Sequence, residues 1–213
     1  MTTNDHIVFI VDDDERIREA LEELLASHGV RAIAFGSAGD YVCADKPDLP
    51  ACLILDLELP DINGLELQKQ IAHADHPPIV FITGHGDIPS SVRAIKHGAV
   101  DFLTKPISDA DLMAAIDAAV MQDRKTRSER AELGAWRQRY LEPAPREREV
   151  FPLLVSGLLN KQAAAELGIS EVTLQIHRRN VMQKMAAASL ADLVRIAERL
   201  ETPITHSRRA GRT

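Results

Sequence analysis

Long hydrophobic runs are missing from this 213-residue chain. Its longest, such as Ile7 to Val11 and Cys52 to Leu55, fall far short of the ~20 residues that cross a bilayer, which excludes a membrane-spanning helix. Cysteine is scarce: Cys43 and Cys52 are the only two, too few for a disulfide framework and best read as buried or idle thiols in a reducing cytoplasm. The opening residues, Met1 to His6, are polar and lack a basic segment followed by an apolar stretch, so no export signal is expected. No internal repeat or low-complexity tract interrupts the chain. With 45% hydrophobic and 27% charged residues, the composition is that of a packed soluble protein rather than a disordered or collagenous one.

Charge is unevenly spread. Residues 1 to 123 carry 8 Lys+Arg against 22 Asp+Glu, a net of −14, whereas residues 124 to 213 carry 17 against 10, a net of +7. One mixed surface does not readily produce this, so the length is best divided into two domains, the first built for a cation or phosphoryl group and the second for a polyanion.

The first half alternates short apolar runs with amphipathic stretches, the pattern of a doubly wound parallel sheet. Five strands are expected: Ile7 to Val11, Val30 to Phe35, Cys52 to Leu55, Ile79 to Ile82 and Asp101 to Leu103. Ile17, Leu21, Leu24 and Leu25 form one helix face closed by Gly29; Leu112, Ile116, Ala119 and Val120 form another, started by Pro106 and Ser108. The fold class is therefore α/β, a (βα)₅ unit, whose ligands gather beyond the carboxyl ends of the strands.

The residues at those ends are Asp12, Asp13 and Asp14, then Asp56, Thr83 and Lys105. Clustered carboxylates repel unless a cation neutralises them. Oxygen-only donors without nearby Cys or paired His favour Mg²⁺, which commonly keeps a phosphate oxygen among its ligands. Thr83 and Lys105 then complete a cradle for a phosphoryl group, with Asp56 as the nucleophile that becomes an acyl phosphate. Asp14 reads instead as a helix cap.

Val11-Asp12-Asp13, Leu55-Asp56 with Leu59-Pro60-Asp61-Ile62-Asn63-Gly64, Ile82-Thr83-Gly84-His85-Gly86 and Phe102-Leu103-Thr104-Lys105-Pro106 resemble the receiver domain of two-component response regulators. The resemblance implies a receiver over 1–122 in which Asp56 accepts phosphate from a histidine kinase. Asp12, Asp13, Asp56 and the main-chain carbonyl of Glu58 would hold Mg²⁺, and Thr83 and Lys105 would bind phosphoryl oxygens. Phe102 would be the aromatic switch, although it reads equally well as a core residue. The surface from Val92 to Phe102 is then expected to shift on phosphorylation. Glu58 and His85 are either solvated loop residues or side chains that tune hydrolysis of the acyl phosphate.

Residues 123–142 read as a partly helical linker. Its Trp136 and Tyr140, at i and i+4, either form a greasy side of that linker or dock on a domain. Four helical patterns follow over 143–201, then a polar, basic tail over 202–213, expected to be disordered. Asn160 to Leu167 and Glu171 to Met185, separated by Gly168-Ile169-Ser170, have helix-turn-helix spacing, with Ser170 as cap. Leu174, His177, Val181 and Met185 fall on the core side, with His177 read as half-buried and hydrogen-bonded. Gln175, Ile176 and Arg179 point elsewhere, as residues suited to adenine, a thymine methyl and guanine.

Pro145-Arg146-Glu147-Arg148-Glu149-Val150, Gly157-Leu158-Leu159-Asn160-Lys161-Gln162, Leu167-Gly168-Ile169-Ser170 and Thr173-Leu174-Gln175-Ile176-His177-Arg178 resemble the LuxR-type DNA-binding domain. That resemblance implies base contacts from Gln175, Ile176 and Arg179 and phosphate contacts from Thr173 and Lys161. The last helix, with Leu190, Leu193, Val194, Ala197 and Leu200 on one face, would pair two such domains. Pro143-Ala144 stands where the family keeps a Leu-Thr pair, so a capping hydroxyl is missing, and Gln175 stands where Lys is frequent. The whole chain resembles FixJ-like response regulators with a NarL/LuxR-type output. The implied partners are a cognate sensor histidine kinase, promoter DNA, a second copy of the chain on phosphorylation, and RNA polymerase. No membrane partner is implied, the implied location is cytoplasmic, and the protein is not expected to be an enzyme. Two rivals are a phosphatase working through Asp56, for which Glu58 stands where a general-acid Asp is wanted, and a protein- or RNA-binding C-terminal module.

Overall fold

The computed structural model describes residues 5–72, 76–84, 88–141 and 145–202. Five strands, β1 (Ile7–Val11), β2 (Arg31–Phe35), β3 (Ala51–Asp56), β4 (Ile79–Thr83) and β5 (Asp101–Thr104), form one sheet in the order β2-β1-β3-β4-β5. Every pairing is parallel. The helices α1 (Glu15–Ser27), α2 (Ala38–Cys43), α3 (Gly64–Ile71), α4 (Ile88–Lys96) and α5 (Asp109–Leu141) follow the strands in turn.

Side-chain alternation along the strands divides the core into two layers. Ile7, Phe9, Val11, Leu53, Leu55 and Phe81 pack with Tyr41 of α2, Leu67 and Ile71 of α3 and Ala94 of α4. Val8, Ile10, Ile54, Val80 and Ile82 pack on the other face with Leu21 and Leu25 of α1 and Leu112, Ile116 and Ala119 of α5. Because β1, β3 and β4 are covered on both faces, they read as continuous apolar runs.

Strand limits differ slightly from the sequence expectation. Val30 belongs to the turn before β2, where its N–H bonds to the Leu25 carbonyl after Gly29 takes a φ of +70°. Asp56 and Thr83 remain within β3 and β4 as their last residues.

The chain separates into two compact units, 1–127 and 128–213, with the division inside α5. Through the stretch expected to be a partly helical linker, α5 continues unbroken to Leu141, 33 residues in all. The Ala, Glu, Arg, Gln and Lys that end its apolar face are strong helix formers, so the composition changes without breaking the helix. The first unit also runs past residue 122. The buried Asp123 carboxylate accepts the Ala51 N–H at 2.9 Å and Arg127 Nε at 2.8 Å, tying α5 to the start of β3.

The second unit holds the distal half of α5 with α6 (Pro145–Val155), α7 (Asn160–Leu167), α8 (Glu171–Lys184) and α9 (Leu190–Arg199). Its core is built from Val150, Phe151, Leu154, Leu174, Val181, Met185, Leu193 and Ala197. Trp136 and Tyr140 pack against this core, Tyr140 edge-on to Phe151 with centroids 5.2 Å apart. They therefore pack onto the core of their own unit rather than forming the side of a free linker. A salt bridge joins Arg199 to Glu132 at 2.9 Å, and the Arg199 guanidinium lies 5.5 Å from the Trp136 ring. The tail expected over 202–213 lies outside the described residues except for Thr202, whose N–H bonds to the Ala197 carbonyl.

Candidate functional site

Parallel register brings the strand ends together. Val11 pairs with Leu55, which places Asp12 beside Asp56 at the carboxyl edge of the sheet. Asp12 is fully buried, Asp56 is buried and Asp13 is exposed. Each offers a carboxylate oxygen, and the three lie within 4.8 Å of one another. Lys105, one residue past β5, donates from Nζ to Asp12 Oδ2 at 2.7 Å and to Asp56 Oδ2 at 2.9 Å. Its own N–H is held by the Thr83 carbonyl at 2.8 Å, and Thr83 is fully buried at the end of β4. Asp12, Asp13, Asp56, Thr83 and Lys105 thus meet at one place, although the sequence separates them by up to 93 positions.

The electrostatics carry opposing effects. Burial raises the Asp12 carboxyl, and the hydrogen bonds from Lys105 and the Asp14 N–H only partly reverse it. Burial alone would lower the Lys105 ammonium, but its hydrogen bonds and charge interactions with Asp12 and Asp56 outweigh this and raise it. A buried carboxylate pair on a single ammonium, with a third carboxylate alongside, leaves excess negative charge. All-oxygen donors and that excess charge fit a hard divalent cation such as Mg²⁺.

Local sequence explains how the site is held. Asp14 caps α1, accepting the Arg16 N–H at 2.9 Å. Arg18 Nη1 donates to the main-chain carbonyls of Asp12 and Asp13 at 2.8 and 2.9 Å. In the following loop Asn63 caps α3, and Asp61 accepts from Gly39 and Ile62 N–H groups at 3.0 and 3.1 Å. The Gly39 hydrogen bond is the main reason the Asp61 carboxyl is lowered. At Gly64 a Cβ would fall 2.4 Å from the Asp56 carbonyl oxygen, so the loop can pack here only without a side chain. The Glu58 N–H donates to Asp56 Oδ1 at 3.3 Å. Phe102 is half-buried against the core, its ring 6.2 Å from that of Phe81. His85 lies outside the described residues. Arg18 and Asp61 were missed by the sequence reading; an i+4 basic residue behind the Asp14 cap was the available signal for the first.

In the second unit, Gly168 with φ of +66° ends α7 and Ser170 caps α8, accepting the Thr173 N–H at 3.1 Å. Leu174, Val181 and Met185 are buried, while Gln175, Ile176, Arg179 and Lys161 are exposed. Thr173 is half-buried, with Oγ1 2.8 Å from the Ser170 hydroxyl. His177 is half-buried as expected, but its Nδ1 has no hydrogen-bond partner among the described residues. Arg178 donates to Asn160 Oδ1 at 3.0 Å and joins α8 to α7. Leu193 and Ala197 of α9 are buried, Val194 and Leu200 pack at the core margin, and Leu190 is exposed. Pro143-Ala144, read as a missing cap, lies outside the described residues.

A five-strand parallel sheet with an acidic cluster and a lysine at its carboxyl edge, followed by a four-helix helix-turn-helix unit, defines the class of receiver-and-output regulators. The model of the response regulator receiver domain matches residues 8–117, and that of the bacterial regulatory proteins of the luxR family matches residues 144–197. The chain is 46% identical to Nodulation protein W of Bradyrhizobium diazoefficiens over 94% of its own length and 89% of that protein's. It is 42% identical to the transcriptional regulatory protein FixJ of Azorhizobium caulinodans over 89% of this chain and 90% of FixJ. The solved structure of the response regulator StyR matches with a TM-score of 0.77 and 43% identity, covering 91% of this chain and 98% of that one. The chain belongs to the FixJ-like response regulators, with a receiver domain and a LuxR-type helix-turn-helix domain. No helix among the described residues is long and apolar enough to cross a membrane.

Proposed function

We propose that this chain is a phosphorylation-controlled transcription regulator that receives its phosphoryl group from a sensor histidine kinase. The observation carrying this reading is the double contact of Lys105 with Asp12 and Asp56 at the strand ends. An Asp56 oxygen attacks phosphorus, an O–P bond forms, and the bond to the donor's nitrogen breaks. Asp12, Asp13, Asp56 and the Glu58 carbonyl would hold Mg²⁺, which would supply charge neutralisation for this transfer. Lys105 leaves Asp56 for a phosphoryl oxygen, and the Thr83 hydroxyl donates to another. Phe102 then follows Thr83 inward. Glu58 and His85 set how readily water reaches the acyl phosphate. The transfer is stoichiometric, so the protein is a regulator rather than an enzyme.

The apolar groove lined by Ile17, Ala20, Leu24, Pro106 and Ile107 opens beside Lys105 and offers the kinase a surface. On α4, Ile88, Val92 and Ile95 are exposed at i, i+4 and i+7, a stripe suited to pairing two phosphorylated copies. We assign the receiver to 1–122, the linker to 123–142, the output domain to 143–201 and a tail to 202–213. The output domain binds promoter DNA through Gln175, Ile176 and Arg179, with Thr173 and Lys161 on phosphates. It works in the cytoplasm beside RNA polymerase.

The test is sedimentation and promoter-fragment binding with and without acetyl phosphate or beryllofluoride, in the parent and in Asp56→Asn. The expected result is dimerisation and tighter DNA binding in the parent alone. Equal weights and equal affinities in every condition would overturn phosphorylation control.

A further inference from the structure

The α8 helix carries two large apolar residues that packing within its unit does not use: Val172 is 69% exposed and Ile176 is 57% exposed. With Gln175 and Arg179 they follow i, i+3, i+4, i+7, so the four share one face. That face is exposed throughout, whereas Leu174, Val181 and Met185 face the core. Helix formation does not account for the pair. β-Branched residues lose side-chain freedom in a helix and rank below Gln, Glu, Lys and Arg, which serve a solvated face better. Isolated exposed apolar residues are ordinary, but these two interleave with the exposed amide and guanidinium of a capped, N-terminal helix face.

We infer that Val172 is a base-contacting residue, and that Val172 and Ile176 together read the 5-methyl groups of two thymines in the major groove. The inference rests on the DNA-binding reading above and adds a specificity determinant to it. Among the groups that bases present in the major groove, the thymine methyl is the apolar one. Val172 is the second residue of α8, and the N-terminal residues of a recognition helix are those that meet base edges. DNA is the occupant favoured over an apolar protein surface because residues 124 to 213 carry 17 Lys+Arg against 10 Asp+Glu and the stripe itself includes Arg179. Four residues rise about 6 Å along a helix, close to two base-pair steps of about 3.4 Å. The two thymines therefore lie about two steps apart.

The experiment uses the full-length chain with beryllofluoride. Duplexes are first enriched from a random library, and each thymine of the enriched sequence is then replaced singly by deoxyuridine, which lacks only the methyl group. Two replacements about two base pairs apart should each weaken binding about fourfold, the equivalent of about 0.8 kcal/mol per buried methyl. Val172→Ala should abolish the thymine-over-uracil preference at one of these positions and Ile176→Ala at the other. Both variants replace an exposed β-branched residue by a better helix former, and unchanged melting temperatures would show that they fold. Lys161→Ala should weaken thymine and uracil probes alike. The inference is overturned if Val172→Ala keeps the parent's preference at every position, or if no uracil replacement affects an enriched sequence. Failure to enrich any sequence overturns the DNA-binding reading itself, and this inference with it.

Discussion

Arg18 donates from Nη1 to the main-chain carbonyl oxygen of Asp12, 2.8 Å away. The same nitrogen reaches the Asp13 carbonyl at 2.9 Å, so one α1 side chain fixes the backbone of two candidate cation ligands. Neither carboxylate is used up by the contact, and the guanidinium places a positive charge behind a negative cluster. Partners that orient metal ligands typically account for 10–100-fold in affinity. Arg18→Ala is therefore expected to weaken Mg²⁺ binding about tenfold, measured by calorimetric titration of Mg²⁺ alone. Arg18→Lys should recover only part, because an ammonium lacks the planar fork of donors.

The raised Asp12 carboxyl gives a pH dependence of definite sign. Its folded form holds a proton more tightly than its unfolded form, chiefly through burial. In Mg²⁺-free buffer, Asp12 thus withdraws stability as pH rises from its unfolded value of 3.8 through its higher folded value. Lys105 does not confuse this window: its raised ammonium contributes fully below 10.5 and is lost only above that. Since a cation displaces the proton, the melting-temperature gain from adding Mg²⁺ should be small in acid and grow toward neutrality. Asp12→Asn should melt higher than the parent in EDTA at neutral pH and lose most of the Mg²⁺ response.

The cluster was legible because strand ends obey a local grammar: apolar runs stop at the sheet's carboxyl edge, and the next residue faces the site. Asp12, Asp56 and Thr83 follow from that rule directly, and Lys105 lies one position further on because β5 includes Thr104. Arg18 does not, since it recognises main-chain carbonyls that every residue possesses. Asp123 was equally hidden: a carboxylate within a charged stretch gives no sign that it accepts the Ala51 N–H from 72 positions away. The continuity of α5 to Leu141 was hidden for a related reason. Loss of an apolar stripe marks where a helix leaves a core, not where it ends.

Gly64 offers a steric test of the loop that backs Asp56. Its added Cβ would sit 2.4 Å from the Asp56 carbonyl oxygen and 3.1 Å from the Phe81 ring, so β3 or the start of α3 has to move. Overpacking of this kind costs about 1–3 kcal/mol, and Gly64→Ala should lose that much in urea unfolding while slowing phosphorylation by acetyl phosphate. Gly134→Ala is the matched control. Nothing lies within 4 Å of a Cβ there, and inside α5 the change should stabilise by up to about 1 kcal/mol.

Two adjacent arginines on α8 should behave oppositely. Arg178 is half-buried and holds Asn160 across the helix pair at 3.0 Å, whereas Arg179 is exposed on the stripe with Gln175 and Ile176. Arg178→Ala removes a hydrogen bond from a charged donor and should cost about 1.5–3 kcal/mol of stability, with the enriched sequence preference unchanged. Arg179→Ala should leave melting unaltered but lose about 1–3 kcal/mol of discrimination at one base pair, as expected of an arginine bidentate to guanine. Lys161→Ala completes the comparison: it should weaken all duplexes nearly evenly and reduce the slope of log affinity against log salt by about one. Parallel melting curves and salt titrations on the three variants separate a residue that builds the helix-turn-helix from one proposed to read a base and one proposed to hold a phosphate. If Arg178→Ala changed the preferred sequence while Arg179→Ala did not, the face assigned to DNA would be the wrong side of α8.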